Sequence, residues 1–172
     1  AIQQIWTWVA NCTIPHLRYG ITVGPALATI FQQKYGIPFT TIRNVPFRQT
    51  VAVAKTSKPQ NVLLYQGALN EGRGLEPLLM AMQHLPEATL WLAGEGDLSE
   101  DLRKLAQRLQ VEEQVQFLGY VLPDELKDIT RQATIGFNLL ENKGLSYYYS
   151  LANKAFDYVQ AGIPSIHSDF PE

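Results

Sequence analysis

Lys154 and Asp157 stand three residues apart in the run SLANKAFDYVQAGIP, a spacing that puts both on one face of a helix. Ser150 is a good N-cap for that helix. Leu151, Ala155, Phe156 and Val159 supply an apolar face at helical spacing, and Gly162 with Pro164 ends it before a short apolar strand. Gly144 and Ser146 lead into its start. A helix N-terminus reached through a glycine-containing loop offers backbone amides to an anion, and a lysine one turn in adds a charge-assisted bond to the same anion. Asp157 is an acceptor one turn deeper. Amides, a cation and a carboxylate in this order suit a nucleoside diphosphate, with phosphates on the amides and ribose hydroxyls on the carboxylate.

A second cation lies far away in the chain. Val62 to Gly67, VLLYQG, is a short apolar run ending in glycine, as expected of a fully buried strand. After the loop ALNEGRG, Leu75 to His84 reads as a helix with Leu75, Leu78, Leu79 and Met82 inward. Doubly wound folds place ligands at such strand-to-helix junctions, and Arg73 stands there between Gly72 and Gly74. A loop arginine can equally make a surface ion pair with Glu71 or Glu76. The two readings balance until Lys154 tips them towards phosphate.

The remaining titratable residues offer less. No pair of histidines, cysteines or carboxylates has metal-ligand spacing, and no P-loop, nucleophile elbow or Cys-His pair occurs, so no metal or other cofactor is expected. His16 sits in a loop with no carboxylate nearby to orient it and is given no role. The single cysteine, Cys12, excludes an internal disulfide and fits a reducing, cytoplasmic setting. No apolar run approaches the ~20 residues that cross a bilayer.

The elements that must position these residues follow from periodicity. From Asn61 onward, strands at Val62–Gly67, Ala88–Ala93, Val115–Val121 and Ala133–Leu139 alternate with helices at Leu75–His84, Leu98–Leu109 (capped by Ser99 or Asp97) and from Pro123, a pattern that predicts a parallel sheet covered on both faces. Before it, Tyr19–Val23, Pro25–Tyr35 and Phe39–Ile42 read as strand, helix and strand, preceded by a short amphipathic helix over 2–9 that packs Ile2, Ile5, Trp6 and Val9 on a sheet. Residues 47–60 lose periodicity and read as a linker. Charge divides the same way. Residues 1–60 hold six Lys or Arg and no acid, while the rest hold eight bases and sixteen acids. The six basic residues are scattered rather than clustered, which argues for pieces of two domains and against a nucleic-acid arm.

These residues carry a resemblance. The run from Ser150 to Glu172 is similar to the end of the donor-binding motif of family 4 glycosyltransferases, retaining GT-B enzymes that use nucleotide sugars. There, two glutamates eight positions apart run into a helix ending A-G-x-P. Asp157 takes the second, ribose-binding position, and Tyr149 stands at the first. The family's G-R-x-x-x-x-K-G loop is matched at Gly67 and Gly74, with Arg73 in place of its phosphate-binding lysine and Ala68 in place of its arginine. Gly94 and Gly96 match its G-x-G turn. Its F-L-G signature is matched by Phe117–Gly119, whose following residues Tyr120 and Val121 would meet the base through their backbone. Tyr35-Gly36 and Ile42, Asn44 and Pro46 loosely match the end of its acceptor domain.

The resemblance therefore implies an α/β, Rossmann-like GT-B C-terminal domain over 61–172, cut short at its end, joined by the 47–60 linker to the tail of an acceptor-side domain over 1–46. Arg73 and Lys154 would be catalytic. Gly67, Gly94, Tyr120, Val121, Tyr149, Ser150 and Asp157 would join them around a nucleotide-diphosphate sugar, without a metal. The acceptor would be held by a missing N-terminal domain, the route of any peripheral membrane contact, and the isolated piece would turn over little. A non-catalytic nucleotide-binding or interaction module is the competing reading, and a GT-B epimerase or phosphorylase shares the fold.

Overall fold

The structure, a computed structural model, describes residues 2–46 and 61–171. The expected linker at 47–60 lies outside them. The chain forms two compact units. One holds residues up to Asn44 with Gly144–Leu151 and the segment from Phe170. Of the described residues, the other holds 45–46, 61–143 and Ala152–Asp169.

In the first unit, helix α1 (Ile2–Thr13) is followed by strand β1 (Gly20–Thr22), helix α2 (Pro25–Tyr35) and strand β2 (Phe39–Thr41), and β1 and β2 pair in parallel. Pro25 at the first helical position and Gly36 in the left-handed region (φ 70°) bound α2 where the sequence places its ends. Phe31, Tyr35 and Phe39 close the unit's small aromatic contact, with the Phe31 and Phe39 rings 5.5 Å apart. The expectation for α1 fails. None of its residues is buried, and Trp6 and Trp8 are each 68% exposed. The unit's two strands have three residues each and offer too little surface to cover an amphipathic helix. A further short helix, α6 (Leu145–Tyr148), also belongs here, with the Tyr148 ring packed on Tyr149 and Phe170.

The second unit alternates β3 (Val62–Gln66), α3 (Leu75–Met82), β4 (Thr89–Ala93), α4 (Ser99–Leu109), β5 (Val115–Gly119), α5 (Pro123–Gln132), β6 (Ile135–Asn138), α7 (Asn153–Ala161) and β7 (Ser165–His167). The five strands make one all-parallel sheet in the order β5-β4-β3-β6-β7. All five residues of β3 are buried, because its alternating side chains enter two different cores. Leu63 and Tyr65 join the cluster of Leu75, Leu79 and Met82 of α3 and Leu102 and Ala106 of α4. Val62 and Leu64 face the opposite cluster with Ala133, Tyr158 and Ile163. Each buried leucine contributes roughly 1.5–3 kcal/mol.

The strand order reverses direction at β3. The chain proceeds outward through β4 and β5, then returns to β6 on β3's other side. The crevice beyond the carboxyl ends of β3 and β6 is where such sheets bind ligands. Two local expectations are corrected here. Ser99 does not cap α4; the N-cap is Leu98, and the Ser99 hydroxyl instead donates to Glu95 Oε2 (2.7 Å) and accepts from Gly96 N (3.0 Å). On α7 the buried residues are Lys154 and Tyr158, whereas Val159 is 74% exposed. Tyr158 wins that face because its hydroxyl reaches backbone acceptors, donating to Phe137 O at 3.1 Å, and because Gly136 leaves room for its ring. Among the described residues, no helix is long and apolar enough to cross a membrane.

A methyl group at Gly136 would come within 2.6 Å of the Tyr158 ring. Gly136→Ala is therefore expected to lower the unfolding free energy of the chain in urea by about 1–3 kcal/mol. An unchanged midpoint would mean that α7 does not rest on β6 through this contact.

Candidate functional site

Three loops meet at the crevice. The one after β3 is zipped to the one after β4 by backbone bonds from Gly67 N to Ala93 O (2.9 Å), Leu69 N to Glu95 O (3.1 Å) and Leu98 N to Leu69 O (2.9 Å), and by Asp97 N donating to Asn70 Oδ1 (3.0 Å). A Cβ on Gly94, whose φ is 151°, would collide with the Gly67 carbonyl oxygen, so glycine is required for this approach. The same loop is tied to the one after β6 where Glu141 N donates to Gly72 O (3.0 Å). Arg73, half-buried, is carried between these ties. Glu71, one of its candidate surface partners, is engaged by Lys143 at 2.6 Å, which holds the Glu71 carboxyl below its ordinary range.

Lys154 enters from the other side as the second residue of α7. It is buried, its Nζ stands 3.9 Å above the Tyr65 ring, and it lies 3.3 Å from where a Gly67 side chain would begin. Tyr65 is fixed in turn by its hydroxyl, which donates to Ala68 O at 2.8 Å. Among the described residues Lys154 Nζ has no hydrogen-bond partner. Burial, and secondarily the Arg73 charge, push its pKa down from 10.5 to about 7. Desolvated ammonium beside a guanidinium is unfavourable unless an anion joins them. The α7 terminus adds amides with no side-chain cap over them.

A cleft of about 610 Å³ opens between the loops; neither Arg73 nor Lys154 lines it, and Gly67, beside the Lys154 ammonium, joins the two. Its lining includes Gln66, Gly67, Gly94, Glu95, Tyr120, Val121, Thr130 and Asp157. Asp157 Oδ2 accepts from Gln66 Nε2 (2.8 Å), and Gln66 Oε1 accepts from the Thr130 hydroxyl (2.8 Å). Burial raises the Asp157 pKa, opposed by the Gln66 hydrogen bond and the Lys127 charge. Tyr120 is 75% exposed and lines the cleft rather than packing in a core.

Cations at a strand-helix switch point and a carboxylate in the adjoining cleft have the chemistry to hold a phosphate-bearing ligand. Residues 47–169 match the model of the family described as glycosyl transferases group 1. The chain belongs to this family. It is 31% identical over 105 residues to an uncharacterized glycosyltransferase of Methanocaldococcus jannaschii, a match covering 59% of this chain and 26% of that protein. It is 36% identical over 69 residues to the lipopolysaccharide core biosynthesis glycosyltransferase LpsE of Rhizobium meliloti, covering 39% and 20% respectively. The match thus spans about a quarter or less of the length of these curated relatives. In fold it is similar to HepE of Anabaena, solved with UDP and glucose, at a TM-score of 0.71 and 18% identity over 97% of this chain and 48% of that one. The parallel five-stranded sheet flanked by helices is the α/β architecture of GT-B glycosyltransferases.

Within this glycosyl transferases group 1 chain, the second unit brings together Gly67, Arg73, Gly94, Tyr120, Val121, Lys154 and Asp157. Tyr149 and Ser150 fall in the first unit. Ser150 does not cap α7; its N–H donates to Tyr147 O (3.2 Å), and the N-cap is Ala152. The loop expected from Gly144 instead contains α6, which uses the chain that a longer α7 would have needed. Gln66 and Thr130 were not picked out from sequence, although a glutamine closing an otherwise apolar buried strand was a readable signal. Among the described residues, no cluster of three His, Cys, Asp or Glu could hold a metal ion.

Because Lys154 binds its proton more weakly folded than unfolded, its contribution to stability should rise as pH increases from about 7 towards 10.5. Lys154→Met is expected to abolish that increment and to raise stability at pH 7, on the order of 1–3 kcal/mol, by removing the desolvated charge. Urea unfolding of both proteins at pH 6, 7, 8 and 9 measures it. A destabilised variant at every pH would contradict the picture of an uncompensated ammonium.

Proposed function

We propose that the second unit binds the nucleoside diphosphate of a nucleotide-sugar donor, and that the whole protein transfers the sugar to an acceptor with retention, as a family 4 glycosyltransferase. The observation that carries this reading is Lys154, a buried ammonium with no hydrogen-bond partner among the described residues, beside Arg73 at an uncapped helix start. A diphosphate would give the ammonium its missing acceptors and separate the two positive charges. The guanidinium of Arg73 suits bidentate phosphate binding. Asp157 would take the ribose, and the backbone at Tyr120 and Val121 the base. The UDP and glucose bound by the HepE neighbour are ligands of the same class.

In the reaction so proposed, the bond from the anomeric carbon to the β-phosphate oxygen breaks while the acceptor hydroxyl forms its bond on the same face. The acceptor proton passes to an oxygen of the departing diphosphate. Arg73, Lys154 and the α7 amides stabilise the charge that develops there. Two cations and a helix terminus already supply that neutralisation, so we propose that no divalent ion is needed. The N-terminal residues would belong to the acceptor-side domain.

Calorimetry with UDP, ADP and GDP tests the site. At least one should bind, and Arg73→Ala or Lys154→Ala should weaken it 10-fold or more. The bound form needs Lys154 charged, so affinity should fall by up to about 10-fold per pH unit above pH 7, with proton uptake on binding. Equal affinity in wild type and both variants would remove the basis of the assignment, and EDTA should leave binding unchanged.

A further inference from the structure

The hydrogen bonds below the cleft run in a single allowed direction. A carboxylate only accepts, so the amide of Gln66 must present Nε2 to Asp157 and Oε1 to Thr130, which must then donate. Gln66 and Thr130 are 2% and 1% exposed, so neither can be reoriented by solvent. Thr130 also approaches Leu126 O at 2.6 Å, sharing its one proton between two acceptors. All three line the cleft, and Asp157 is the one of them that is only half-buried.

A short carboxylate on a helix surface rotates broadly about its last torsion, and a ligand that needs one orientation must order it on binding. Here the ordering is built into the fold. We propose that Gln66, braced by Thr130, is a positioning residue that locks the Asp157 carboxylate for a ribose hydroxyl, and so sets the preference for ribonucleotide over deoxyribonucleotide ligands. The inference rests on the ribose role of Asp157 proposed above. With Oδ2 engaged by Gln66, Oδ1 is the oxygen left to read the sugar.

Removing Gln66 should not cost the fold. In Gln66→Leu the Thr130 proton retains Leu126 O, and half-exposed Asp157 can turn to water, so no buried polar group is stranded. The phosphate end of the site, held by Lys154 and Arg73, is untouched.

Calorimetry on the full chain measures the affinity of whichever of UDP, ADP and GDP binds most tightly, of its 2′-deoxy and 3′-deoxy analogues, and of inorganic pyrophosphate. Wild type should prefer the ribonucleotide by about 10-fold or more over at least one analogue. Gln66→Leu should bring that ratio within about 3-fold while pyrophosphate affinity stays within 2-fold. Thr130→Val should also lower the ratio, and Thr130→Ser should restore it. If Gln66→Leu and Thr130→Val keep the wild-type ratio while Asp157→Asn loses it, the positioning role is overturned and the ribose role of Asp157 stands. If wild type itself shows no preference and Asp157→Asn binds equally well, the ribose role falls, and this inference with it. Should Gln66→Leu lose pyrophosphate binding as well, Thr130→Val decides alone.

Discussion

A desolvated positive charge governs this site. Lys154 is held out of water with an aromatic face on one side and no hydrogen-bond acceptor among the described residues. Its surroundings depress its proton affinity to about neutrality rather than compensating the charge. A contact with the Tyr65 ring is worth about 2 kcal/mol when desolvated, less than the several kcal/mol that removing an ammonium from water costs. Stability alone would not select such a group, since Met in the same place packs as well and bears no charge.

What keeps the lysine there is the rest of the fold. Helix α7 cannot rotate to carry it outward, because Tyr158, one turn on, is locked into the sheet by the space over Gly136 and by acceptors at the β6 and β3 backbones. The loop opposite cannot retreat, because its backbone is bonded to the loops after β4 and β6. Three separate stretches of chain therefore converge on a point that no one of them stabilises, and the strand order determines which three they are.

That division explains how much could be read from the sequence. The βα alternation, the buried β3, the inward face of α3 and the bounds of α2 were legible because each follows from local periodicity or from a Pro or Gly at a helix end. Arg73 and Lys154 were legible as cations at strand-helix junctions. The start of α7 was not. Ser150 has the intrinsic preference of a cap, but α6 takes up the chain before it and the helix begins after Ala152. The buried face of α7 was misjudged for a related reason: hydrophobicity favoured Phe156 and Val159, while the fold had a glycine-floored slot fitted to Tyr158. The exposed face of α1 shows the limit of amphipathicity, which identifies an apolar stripe and not what covers it.

Gln66 belongs to the class that periodicity hides. At the last position of an otherwise apolar strand it reads as strand continuation, and only the register of β3 against the α5 and α7 helices shows that its amide lies between a hydroxyl and a carboxylate from chain positions 64 and 91 residues away. A buried amide in that place is costly unless both its ends are satisfied, and here the two ends have partners of opposite hydrogen-bonding sense. An apolar residue would have filled the strand equally well. The proposed roles would account for both choices, the amide by what it does to Asp157 and the charge on Lys154 by an anion. Two departures from the cheapest core, a charge over Gly67 and an amide at the residue before it, stand where the phosphate and ribose of the proposed ligand would lie.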